Sequence, residues 1–186
     1  MKYNERPTEL QESAATETKM AFAEHFNQFN GFCDALHNLE RNLETTVNEA
    51  FKAALLSPGR MVKTDDGAEW QHDLELMKDI SICHRRIAGE MEFAVVESVP
   101  FPTGETKEVL NRGSSVREVL QTFAHDQWQV SRLWKDDMTA QIREHLEQKY
   151  PGHDMSIMVE SFDYKMSRAL AQRPAQTQNQ SRGVRI

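Results

Sequence analysis

A seven-residue apolar repeat constrains this chain more than any other feature. Phe22, Phe29, Leu36, Leu43 and Ala50 recur at that spacing. Phe26, Cys33, Val47 and Ala54 fill the alternating positions, with Glu40 as the one polar interruption. Such a seam lays an apolar stripe along a helix and demands something to bury it. Thr8 opens the run as a cap, with Gln11 three residues later in capping-box register. The pattern predicts one helix from Thr8 to about Leu56, on the order of 70 Å long. Asn30-Gly31 normally signals a turn, but the seam keeps its phase through it, so the helix reads as continuous.

Pro58 and Gly59 end this helix. The apolar residues that follow predict a second helix from about Asp66 to Ser98. Pro100, Pro102, Gly104 and Gly113 then punctuate a connection with one helical turn at 105–111. Ser115 with Glu118 forms a capping-box pattern. It opens a third helix with Val116, Leu120, Phe123, Val130, Trp134, Met138, Ile142 and Leu146 inward. Tyr150-Pro151-Gly152 stops it, and Asp154 caps a shorter helix with Met155, Val159, Phe162, Met166 and Ala169 on one face. The expected fold is all-α: an elongated antiparallel bundle of three long helices and one shorter C-terminal helix, with coiled-coil-like packing. Residues 1–172 form the bundle and 173–186 a flexible basic arm.

A chain of 186 residues with formal charge -7 suits a soluble domain, not a surface adapted throughout to nucleic acid. All 29 acidic residues precede position 173, whereas Arg173, Arg182 and Arg185 lie in a closing segment without acids. The two cysteines, Cys33 and Cys83, show no disulfide-framework spacing and suit a reducing compartment. The opening "MKYNERPTEL" lacks the apolar stretch of a secretory leader. No apolar run approaches the roughly 18 residues that cross a membrane.

Chemistry-bearing side chains gather in "EWQHDLELMKDISICHRR", residues 69–86. On the predicted helix Asp73 and His84 share the apolar face. They stand about 16 Å apart along its axis, too far to touch. Cys83 diverges from His84 by about 100°, so the run supplies no single site. A zinc site would need a second helix, for example Cys33 and His37 at i, i+4. Ile82, Gly89, Phe93 and Val96 line the opposite side, which makes this helix apolar on two faces and fit to be surrounded.

The His-Asp dipeptides at 72–73, 125–126 and 153–154 resemble, as dipeptides, those of the all-helical His-Asp metal phosphohydrolases. That resemblance implies a small all-α metal-dependent nucleotide phosphohydrolase using Asp73, His84, His125 and Asp126. Glu160 with Asp163 matches an ExxD pair of the helical nucleotide pyrophosphatases, and Asp163-Tyr164-Lys165 resembles half of a nuclease motif. There is no P-loop, GxGxxG or GxSxG.

The leading reading is a non-enzymatic assembly or adaptor protein, a structural subunit of a larger complex such as a virus particle. No catalytic, cofactor or metal residues are assigned. The interface candidates are Ile82, Phe93, Val96, Trp128, Arg173, Arg182 and Arg185. Partners are other protein subunits in a homo- or hetero-oligomer, with the arm on an acidic subunit or nucleic acid, and no membrane. The expected location is the cytoplasm, or a particle assembled there. A third reading is an acidic regulator or inhibitor of a basic protein.

Overall fold

The computed structural model describes residues 7–56, 61–65, 67–102 and 104–171. It contains five helices and an antiparallel sheet, so the fold is mixed α/β rather than an all-α, coiled-coil bundle. The chain divides into two compact units: Met1–His37 with Val130–Ile186, and Asn38–Gln129.

The first predicted helix is present as three segments, α1 (Glu9–Ala21), α2 (Ala23–Arg41) and α3 (Leu43–Leu56). Thr8 and Gln11 form the capping box. Backbone bonding runs on through both breaks: the N–H groups of Phe26, Asn42 and Thr46 donate to the carbonyls of Phe22, Asn38 and Asn42 at 3.0, 3.0 and 2.9 Å. Gly31 lies inside α2, which is intact there.

The second predicted helix does not exist. Residues 69–101 are three strands, and the predicted turn at 105–111 is a fourth. The sheet runs β1 (Met61–Lys63), β2 (Glu69–Met77), β3 (Ile80–Ile87), β4 (Glu90–Phe101) and β5 (Gly104–Gly113), each antiparallel to the next. Two-residue turns connect β2 to β3 and β3 to β4. Asp79 takes φ 62°, and Ala88 and Gly89 take 52° and 87°, the left-handed geometry that matches the twist of a tight hairpin. In alanine that conformation is strained by the Cβ. Ala88→Asn is therefore expected to stabilise the protein by about 0.5–1 kcal/mol, read as a higher urea midpoint.

The sheet also curls. Thr64 bridges Lys107, the Asp65 N–H donates to the Lys107 carbonyl at 2.7 Å, and the Val109 N–H donates to Asp65 Oδ1 at 3.1 Å. The stretch after β1 thus reaches β5. Ile80, Ile82, Phe93 and Val95 on one face pack with Ala50 and Ala54 of α3. The same cluster holds Val119, Leu120 and Phe123 of α4 (Val116–Lys149). Asn111 Nδ2 donates to the Val119 carbonyl at 2.7 Å and ties β5 to that helix. The opposite face carries a second cluster of Trp70, Cys83, Ala94 and Val96. β3 and β4 are therefore buried on both sides. That is why they lack the polar–apolar alternation of a half-exposed strand, and why their residues read as a helix apolar on two faces.

Ser115 Oγ accepts from the Glu118 N–H at 3.4 Å where α4 begins. The other unit is helical. Asp154 accepts from the Ser156 N–H at 3.0 Å at the start of α5 (Ser156–Ala171). Phe29 meets Trp134 edge-on at 5.4 Å, and Phe26 stacks on Phe162 at 5.6 Å. Met138, Ile142, Leu146, Val159 and Met166 are buried as their spacing requires, but Val130 is exposed. Among the described residues, no helix is long and apolar enough to cross a membrane.

Candidate functional site

Asp73 and His84 do meet. Gln71 pairs with His84 and His72 with Cys83, but the next pair is Leu74 with Ile82, which leaves Asp73 as an extra residue in a β-bulge. His84 Nδ1 lies against Asp73 Oδ2, with side chains only 6% and 4% exposed. The expected separation assumed a helical rise. A hairpin folds residues 11 apart onto each other instead. Burial holds the His84 pKa below its ordinary value, and Arg86 adds to the effect. The lowered pKa favours the neutral imidazole beside the carboxylate. Enclosed in this way, the pair acts as a pin that fixes the bulge of β2 against β3.

The other face of the sheet carries a polar group of its own. His72 Nε2 and Ser81 Oγ are 2.8 Å apart. Lys107 donates to Ser98 and lies 3.6 Å from Glu105. A hydrogen bond from Ser98 holds the Glu105 carboxyl below its usual range, and Lys107 contributes. Ser98 thus accepts from Lys107 and donates to the Glu105 carboxylate, and this group ties β4 to β5. Further along, the Arg85 guanidinium covers the Trp70 ring at 4.2 Å and pairs with Glu92 at 3.4 Å.

The remaining candidates are dispersed. Cys33 and Cys83 are free and buried. Burial pushes their thiols up to about 11 and about 12, so they are poor nucleophiles and poor ligands at neutral pH. His37 Nε2 lies 3.1 Å from the Ala169 carbonyl. His125 and Asp126 are exposed on α4. Asp163 accepts from Lys135 and Thr139, each at 3.0 Å, and so joins α5 to α4. Among the described residues no group of three His, Cys, Asp or Glu side chains is arranged to hold a metal ion.

Of the interface candidates, Ile82, Phe93 and Val96 are almost fully buried within the chain. Trp128 is half-buried. Arg173, Arg182 and Arg185 lie outside the described residues. The structure offers a different surface. α3 turns Leu43, Val47, Ala50 and Ala54 inward. Its last turns expose Phe51 by 48%, Leu55 by 57% and Leu56 by 71%. Sequence reasoning passed over these residues because the heptad seam already explained the helix. The signal was "FKAALL", apolar on nearly every side for two turns.

No protein-family model, curated protein or solved structure matches the chain significantly.

Proposed function

We propose that this protein is a non-enzymatic structural subunit that assembles with further copies of itself inside a larger protein complex. The observation that carries the proposal is the doubly apolar end of α3. One side is consumed by the core, and Phe51, Leu55 and Leu56 remain for another protein. Clustered aromatic and aliphatic side chains are what interface cores use. Along α3 their charged sequence neighbours Glu49 and Lys52 are opposite in sign, on a chain of charge -7. A copy can approach there without the repulsion that the acidic body imposes elsewhere.

The sequence charge supports the same reading, because Arg173, Arg182 and Arg185 lie in a stretch without acids and are opposite in sign to the net charge of a neighbouring copy. Two buried, unpaired cysteines suit a reducing cytoplasmic setting.

Light scattering on the full chain tests the proposal. The wild type is expected at a mass of at least two chains of 21.5 kDa. Phe51→Glu with Leu55→Glu is expected at one chain, with its melting temperature little changed, since both side chains are already half-exposed. Leu56→Glu alone, at the most exposed position, is expected to weaken association in the same direction. A wild type that stays at one chain up to high micromolar concentration would rule the proposal out.

A further inference from the structure

The helical unit contains a groove that the assembly reading does not use. Two adjoining cavities of about 320 and 440 Å³ lie between α2 and α5, and they share Asn30 and Lys165. The floor of the first is apolar: the stacked rings of Phe26 and Phe162, with Met166 beside them. Lys19 and Lys165 stand over it, and Arg168 lines the second cavity with Asp34 as its acid.

Arg85, Lys107, Arg117, Lys135 and Lys149 each sit beside a carboxylate. Among the described residues, Lys19, Lys165 and Arg168 form no ion pair. The Lys165 ammonium instead lies 5.6 Å over the Phe162 ring. On a chain with 29 acids and 22 bases, Lys19 and Lys165 over the apolar floor and Arg168 in the adjoining cavity, against the single acid Asp34, leave the groove with an excess of positive charge for a negative group from outside. Asn30 adds a neutral hydrogen-bonding group where the cavities join. Each cavity is in the size range of small-molecule sites.

We infer that this groove binds a small amphipathic anion, with an aromatic or short acyl body on Phe26, Phe162 and Met166 and an acidic head among Lys19, Lys165 and Arg168. Both halves are required. An inorganic anion leaves the apolar floor wet, and a neutral hydrocarbon leaves the cations without a partner. Carboxylate and phosphate heads share the chemistry, and competition between them identifies the preferred one.

The probe is 8-anilinonaphthalene-1-sulfonate, titrated by fluorescence against the full-length chain. One saturable site is expected. Lys165→Glu, a change at an exposed position, is expected to weaken it at least tenfold, and Arg168→Glu to weaken it in the same direction. N-phenyl-1-naphthylamine, which lacks the sulfonate, is expected to bind at least tenfold more weakly than the probe. Phenyl phosphate or decanoate displaces the probe at concentrations where inorganic phosphate does not, and the more effective of the two names the head group. Phe51→Glu with Leu55→Glu removes the exposed stripe of α3 and is expected to leave the titration unchanged. Binding that is insensitive to Lys165→Glu, or that disappears with the α3 changes, would overturn the inference without touching the assembly test.

Discussion

His84→Leu is expected to cost about 3–5 kcal/mol, because it strands the Asp73 carboxylate in a site that is 4% exposed. That is a large share of the roughly 5–15 kcal/mol that holds a domain of this kind together. The cost comes from the orphaned charge more than from lost packing, since leucine restores most of the volume. The double variant Asp73→Ala with His84→Leu should therefore be more stable than His84→Leu alone. A double-mutant cycle by urea unfolding should give a coupling above about 1 kcal/mol. If the two substitutions simply add, the pair is not the pin described above.

Trp70→Ala is expected to be comparably severe, about 3–5 kcal/mol. The ring is fully buried at the centre of the cluster with Cys83, Ala94 and Val96, and Arg85 lies across it. Trp70→Phe provides the contrast. Nε1 of Trp70 has no hydrogen-bond partner among the described residues, so phenylalanine sacrifices no bond and should cost about 1–2 kcal/mol, mostly as lost volume. Thermal melts of the two variants separate a requirement for ring area from a requirement for the indole N–H. Equal losses would show that Nε1 is satisfied in solution.

The helical parts of the fold were legible because helices announce their ends and their inward faces locally. Thr8, Ser115 and Asp154 cap where expected, and the seam residues Phe29, Cys33, Leu36, Ala50 and Ala54 are the buried ones. What the seam could not reveal is what it packs against: beyond Leu39 the cluster includes a sheet as well as the start of α4, and apolar spacing on one element says nothing about the shape of its partner. The sheet was hidden for a related reason. Ile80-Ser81-Ile82-Cys83-His84 is buried at every position, and a strand buried on both faces loses its period of two. The β-branched and aromatic run Phe93-Ala94-Val95-Val96 and the pair Ala88-Gly89 were the available strand and turn signals.

The Asp73–His84 pair was hidden by the same cause. On a helix axis these residues stand several turns apart, whereas the hairpin and its bulge bring them into contact. The grouping of Lys19, Lys165 and Arg168 was beyond reach of sequence, because it depends on how α1, α2 and α5 are arranged around one groove.

Two separate stretches of the chain form the helical unit, and the sheet unit is a single uninterrupted stretch between them. During synthesis the middle can therefore fold first, from neighbouring strands joined by two-residue turns and a helix on either side. Such local contacts form quickly. The helical unit must wait for α5 before Phe26 has Phe162 to stack on. Until then α1 and the first part of α2 emerge with their seam unsatisfied. A ribosome making this protein thus holds a finished sheet unit behind unfinished helices, and only α5 lets the helical unit close.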